Sequence, residues 1–335
     1  LPDYAVQAAV VCYLARTGKP ENFGTAELIL EAMLSRTGPP AARSRAEAAR
    51  VLGEIPPPSP LHAELFKLLH DSETEVLEQA LLSVGKTQAR EFLPLVILKL
   101  GTPGAAPAAR TALAQFGDRA VGTLHDYLND PALPLPIRKR IPQALAYIPT
   151  DQAVATLLDS LIQSDPELRF EVLKALNKLR QRNPGLVPPA PQFEDMLQAE
   201  LMGYYRSFQI LAAFDPRAGA WQPSPQRESL LARALRERME YELERIFRLL
   251  ALLYPPQDVH NAFAGLTSQR PQLQANAVEV LEHLLRPELY RLLVYVVDPE
   301  VKLGEKLAFA QRLCHTSVSS RAEALRVLLH SEDRW

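Results

Sequence analysis

Four stretches of the chain end alike. "AARVLGEIP", "ALLSVGKTQ", "ALAQFGDRA" and "ALAYIPTDQ" set a helix breaker at Gly53, Gly85, Gly117 and Pro149, each 32 residues after the one before. Five residues ahead of each breaker stands alanine (Ala48, Ala80, Ala112, Ala144), and one residue ahead a larger apolar side chain (Leu52, Val84, Phe116, Ile148). Residues four apart share one helix face. Alanine on that face lets a neighbouring backbone come close, and the larger residue one turn later fills the adjoining space. Glycine tolerates the left-handed cap, and proline cannot continue the hydrogen-bond ladder, so either stops the helix. A fixed period of this size is the mark of stacked helical hairpins, because one hairpin cannot bury its apolar face alone. One further copy, "ALNKLRQ" with Ala175, Leu176 and Leu179, follows one residue short.

Each period holds an earlier helix: "AELILEAML", "LHAELFKLLHD", "FLPLVILKL", "VGTLHDYLND" and "AVATLLDSLIQSD" repeat apolar residues at three and four. Turns rich in Pro, Gly and Asp separate it from the second helix. The unit is therefore helix A, turn, helix B, stop. No segment sustains an alternation of period two, so no sheet is expected. The fold class predicted is all-α, an α-solenoid of stacked antiparallel helical hairpins.

Composition breaks divide the array. The predicted parts are an N-terminal repeat array over 1–183, a Pro-rich junction with one helix over 184–226, and a C-terminal repeat segment over 227–335 opening on a helix of about thirty residues. In that long helix Arg236, Glu237, Arg238, Glu240, Glu242, Glu244 and Arg245 alternate in sign, the usual sign of a solvated face laced with i,i+4 pairs. Its rear half, Ile246 to Leu253, is apolar nearly all round and should be buried. "NAVEVLEHLL" and "AEALRVLLH" then carry two more Ala-Leu copies at Ala277 and Ala324. The chain opens on Leu1 and on a B-type helix with no A partner, which suggests a piece cut from a longer array.

The units "NDPALPLPIRKRIPQALAYIP" and "SDPELRFEVLKALNKL" resemble HEAT repeats. Asp130-Pro131 with Arg138, and Asp165-Pro166 with Arg169, match that family's turn and its second-helix arginine; Thr74 and Ala106 hold the arginine's place in the earlier units. Residues 239–335 are similar to the soluble HEAT region of bacterial fused transporters, whose membrane domain is nucleotide-carrier-like or major-facilitator-like, with Gln274 where that pattern carries arginine. The resemblance implies a cytoplasmic regulatory region at the inner face of a bacterial membrane. Its partner would be its own membrane domain or a neighbouring subunit. A cyclic-nucleotide-binding domain often follows in such chains. Neither that domain nor the membrane domain lies in this sequence, so no functional residue carries over from them.

Composition narrows the chemistry. Of 335 residues 47% are hydrophobic and 23% charged, which is globular rather than disordered, and the formal net charge of -2 leaves no basic excess for general nucleic-acid binding. No apolar run reaches the roughly 18 residues of a membrane span. The seven histidines form no metal-spaced pair with a third ligand. His70 and His330 sit at helix ends, where capping the dipole is the expected role. Cys12 and Cys314 stand among apolar residues and read as buried free thiols. "GTPGAAPAAR" lacks the Lys-Ser/Thr of a phosphate loop, and no nucleophile elbow is present. No catalytic residue, cofactor or metal site is therefore assigned.

The function expected is a non-catalytic scaffold that binds a protein partner on the concave face of its B helices. The alternative is a HEAT-like enzyme of the bilin-lyase type. The candidate partner-binding residues are Lys139 and Arg140, a short basic patch in "IRKRIPQ", and Tyr204, Tyr205 and Trp221 near the junction. Those three aromatics otherwise serve to pack the two arrays together.

Overall fold

A computed structural model describes residues 4–17, 19–35, 39–162, 165–187, 190–215, 229–268, 270–318 and 320–330. Among them every regular element is helical. The chain divides into two compact units, Leu1–Leu179 and Arg180–Trp335.

Unit 1 is a solenoid of stacked antiparallel hairpins. Its helices are α1 (Tyr4–Arg16), α2 (Pro20–Leu34), α3 (Pro39–Leu52), α4 (Leu65–Leu68), α5 (Thr74–Thr87), α6 (Leu93–Lys99), α7 (Ala106–Phe116), α8 (Asp118–Asn129), α9 (Leu135–Arg138), α10 (Ile141–Leu145), α11 (Asp151–Asp159) and α12 (Pro166–Arg182). The B helices α1, α3, α5, α7 and α10 pack each on the next, and the A helices α6, α8 and α11 form a parallel row. The repeat alanines are the seams: Ala48, Ala80, Ala112 and Ala144 are wholly buried, and Leu52, Val84, Phe116 and Ile148 are core residues beside them.

Only some of the repeating breakers break a helix. Gly53 lies in the turn after α3, and Gly117, at φ 58°, ends α7 and opens α8 at once. Gly85 instead lies inside α5, which runs on to Thr87 and turns at Gln88. Its role is close approach: a Cβ there would stand 2.8 Å from Ala112 Cα on α7. Gly53 plays the same part against α5, where a Cβ would stand 2.7 Å from Ser83 Cα. Ser83 Oγ donates to Ala49 O at 2.6 Å across this seam, so a buried hydroxyl is satisfied where the backbones meet. The glycine period thus marks helix contact as much as helix ends.

The segment expected as one B helix over "IRKRIPQALAYIP" is broken into α9 and α10 by a turn at Lys139 and Arg140. Pro142 explains the break, since it offers no amide to the carbonyl one turn back. Several A helices likewise begin as 3-10 turns, at Pro60–Glu64 ahead of α4 and at Arg90–Phe92 ahead of α6. Of the two Asp-Pro turns, Asp130 accepts the Ala132 amide within its turn at 2.8 Å, and Asp165 caps a helix. Asp165 Oδ1 accepts the Glu167 and Leu168 amides at 2.9 and 3.0 Å and starts α12. Arg138 Nε donates to Leu128 O at 2.9 Å and closes the C-terminal end of α8.

Unit 2 comprises α13 (Pro191–Phe214), α14 (Leu230–Leu253), α15 (Pro256–Leu266), α16 (Pro271–Leu284), α17 (Pro287–Val297), α18 (Leu303–Cys314) and α19 (Arg321–His330). The long helices α13 and α14 pair along their lengths, α15 pairs with α16, and α13 also carries α18 and α19. The alternating charges of α14 do not all face water. Glu242 is buried, accepts from Ser207 Oγ of α13 at 3.0 Å, and is paired with Arg238 at 2.9 Å. Arg245 reaches Glu200 of α13 at 3.0 Å, and Arg236 is paired with Asp215. This departs from the solvated face expected from sign alternation alone: α13 covers one side of that face. The apolar rear half is buried as expected, with Ile246, Phe247, Leu249, Leu250 and Leu252 in the core. Arg180 is buried too and donates to Leu252 O at 2.5 Å and Val187 O at 3.0 Å, satisfying carbonyls at the end of α14 and in the turn after α12.

Candidate functional site

Two features gather side chains that could meet a ligand or a partner. The first is a polar ladder on unit 1. Arg110 on α7 donates to Gln143 Oε1 on α10 at 3.2 Å, and Gln143 Nε2 donates to Glu171 Oε2 on α12 at 3.1 Å. Lys174 closes the line on Glu171 at 2.5 Å. Successive B helices lie side by side, so long polar side chains at nearby repeat positions, Arg110 seven residues before Gly117 and Gln143 six before Pro149, join into a strip. Lys139 lies near its end and pairs with Glu167 at 2.8 Å. That contact raises the Lys139 ammonium above its ordinary range against the opposing effect of burial. Arg140 is half-buried in the same turn.

The second is a cavity of about 570 Å³ within unit 2, walled by α13, α14, α15, α17 and α18. Tyr204, Tyr205, Phe208, Phe263 and Tyr295 supply an aromatic lining, with Lys306 among them. Tyr205 is held from two sides. Its hydroxyl donates to Leu292 O at 2.5 Å, and its ring meets Phe309 at 5.4 Å. Phe309 in turn stacks on Tyr295 at 4.1 Å, so the lining is buttressed from behind. Burial, with Glu242 adding to it, pushes the Tyr204 phenol well above its ordinary range, and burial does the same to Tyr205. Both stay neutral hydroxyls at physiological pH.

Lys306 is the unusual group. It is 5% exposed and sits in the first turn of α18. A cation there lies at the unfavourable end of the helix dipole. Burial lowers its ammonium below the ordinary lysine range, opposed by Asp298 acting through space. Glu237, Glu240, Tyr241 and Thr267 are exposed members of the lining, and Glu244 is half-buried. Of these, Glu237 is paired with Arg233 and Glu244 with Arg248.

Sequence reasoning named Tyr204 and Tyr205, and the structure brings them together in this cavity. Lys139 and Arg140 belong to unit 1 and are not among the residues that line it. Trp221 lies outside the described residues. Lys306 was missed, although a signal existed: Lys306, Ala310 and Cys314 recur at four and are all buried. A lysine on the apolar stripe of "LGEKLAFAQRLC" is a buried lysine.

The other titratable groups are accounted for by structure. His70, His283 and His330 each place Nδ1 on the carbonyl four residues back, at 2.7, 2.8 and 2.8 Å. His62 is buried with Nε2 3.2 Å from Ile55 O, and burial lowers it. Cys12 and Cys314 are buried free thiols. Among the described residues no group of three His, Cys, Asp or Glu side chains is placed to hold a metal, and no helix is long and apolar enough to cross a membrane.

No family model matches this chain, and no curated protein does. Among solved structures, human deoxyhypusine hydroxylase in complex with glycerol is similar at 17% identity over 85% of this chain and 97% of that one. The TM-score is 0.22, too low for the two chains to share one global superposition.

Proposed function

We propose that the chain is a non-catalytic helical-repeat scaffold that binds a protein partner along the B-helix face of unit 1. We further propose that it serves as the cytoplasmic regulatory region of a larger transporter-like membrane protein, its partner being that membrane domain or a neighbouring subunit. One observation carries the scaffold reading: the ladder Arg110–Gln143–Glu171–Lys174. Long polar side chains held by one another lose less conformational freedom on binding than free ones. A strip that spans three B helices suits an extended protein surface better than a small molecule. The transporter reading is supported by the resemblance of residues 239–335.

The test is site-specific photocrosslinking from Arg140 in cells, followed by identification of the crosslinked chain. Arg110→Ala combined with Lys174→Ala, both part-exposed ends of the ladder, is expected to reduce crosslinking at least tenfold while leaving helicity unchanged. Full crosslinking by that double variant would end the scaffold reading at this face. A partner bound here that has no membrane-spanning segment would keep the scaffold and end the transporter assignment.

A further inference from the structure

We propose that the cavity of unit 2 is a binding site for a small apolar, aromatic-bodied molecule carrying a single carboxylate, which the Lys306 ammonium receives. The site is separate from the ladder of unit 1 and stands whether or not the scaffold reading does.

The walls define the body of the ligand. Tyr205, Phe208, Phe263 and Tyr295 present rings to a volume of about 570 Å³, within the range of small-molecule sites. Their positions are fixed by contacts on the far side. Phe309 backs both Tyr205 and Tyr295, and Phe247 meets Phe263 at 4.8 Å. Rings held in this way favour a ligand with a flat apolar face.

Lys306 defines the charge. Burying an ammonium is unfavourable unless it is paired or hydrogen-bonded. The Lys306 ammonium donates no hydrogen bond to any described residue, and Asp298 acts on it only through space. Its neighbour in the lining, Arg236, already has Asp215. Among the described residues of the lining Lys306 is thus the cation left for a ligand, and a carboxylate supplies both the counter-charge and the acceptor it lacks. One unpaired cation among these residues sets the ligand's charge at one, because Arg236 of the lining has Asp215, and Glu237 and Glu244 have Arg233 and Arg248.

The experiment compares 1-pyrenebutyrate with its neutral analogue 1-pyrenebutanol, each titrated into the full chain by fluorescence. The wild-type chain is expected to prefer the acid by about tenfold, the scale of one charge-assisted hydrogen bond. Lys306→Met keeps the apolar stem and is expected to bring the two probes to equal affinity without weakening the alcohol. Thr267→Trp, at an exposed residue of the lining, is expected to weaken both probes alike. Equal affinities in the wild-type chain overturn the proposal, and that comparison needs no variant to fold. An acid preference that survives in a folded Lys306→Met chain, or binding untouched by Thr267→Trp, overturns it equally.

Discussion

Gly85 and Gly122 are both helical glycines, and the structure sets them opposite tasks. A Cβ at Gly85 would meet Gln115 Oε1 at 2.2 Å and Ala112 Cα at 2.8 Å. The side chain can swing away, but the backbone of α7 cannot. Gly122 on α8 is exposed and has nothing within 4 Å of its Cβ position. Gly85→Ala is expected to destabilise unit 1 by about 1–3 kcal/mol, the usual cost of overpacking. Gly122→Ala is expected to stabilise it by about 0.5–1 kcal/mol, the helix propensity difference. Urea denaturation midpoints decide both, and a neutral Gly85→Ala would mean that α5 and α7 are not in close contact.

At the scale of elements, charges join helices that the apolar pattern does not. Arg45 on α3 grips Asp71, in the turn after α4, through Nε at 2.6 Å and Nη2 at 3.1 Å. Burial raises the Asp71 carboxyl. The Arg45 guanidinium and the Glu73 and Ser72 amides outweigh it, and the net position is below the ordinary carboxylate range. A carboxyl lowered by folding adds stability that is complete above its unfolded value, about 4, and is lost as pH falls through its folded value. Asp71→Asn is therefore expected to cost about 1–3 kcal/mol at pH 7, as for a part-buried charged hydrogen bond. The gap between variant and wild type should narrow as the pH is lowered below about 4 in the same denaturation assay. A gap that stays constant with pH would show that the carboxylate's charge is not what holds α3 to that turn. The same scale corrects α14. Its sign alternation looked like a solvated face, yet Glu242 occupies a core position between Met239 and Ile246 and meets Ser207 of α13.

At the scale of the whole molecule, each unit should open from its ends. In stacked repeats stability is close to a sum of units and nearest-neighbour interfaces. Within unit 1, α5 and α7 are covered on both sides by other B helices. The first helix, α1, still exposes Val6, Val10 and Tyr13 along one stripe. Hydrogen exchange followed by mass spectrometry is expected to find the slowest amides of unit 1 in α5 and α7, and much faster exchange in α1 and α2. Uniform protection along the unit would instead mean that it unfolds as one body.

The 32-residue recurrence alone determined the helical hairpins, their order and the alanine seams, because spacing along a helix is a property of sequence and repeats whatever it packs against. The composition break after the array, not the recurrence, singled out Tyr204 and Tyr205, and it said nothing of what surrounds them. Tertiary structure decided the rest. That Gly85 is a contact rather than a stop depends on α7 lying against α5. The Glu242 and Lys306 positions needed α13, α14, α17 and α18 in place. A cavity is made of faces from helices far apart in the chain, and periodicity reports one helix at a time. Lys306, some hundred residues from the tyrosines it joins, becomes a cation in an aromatic chamber only when those helices close around it.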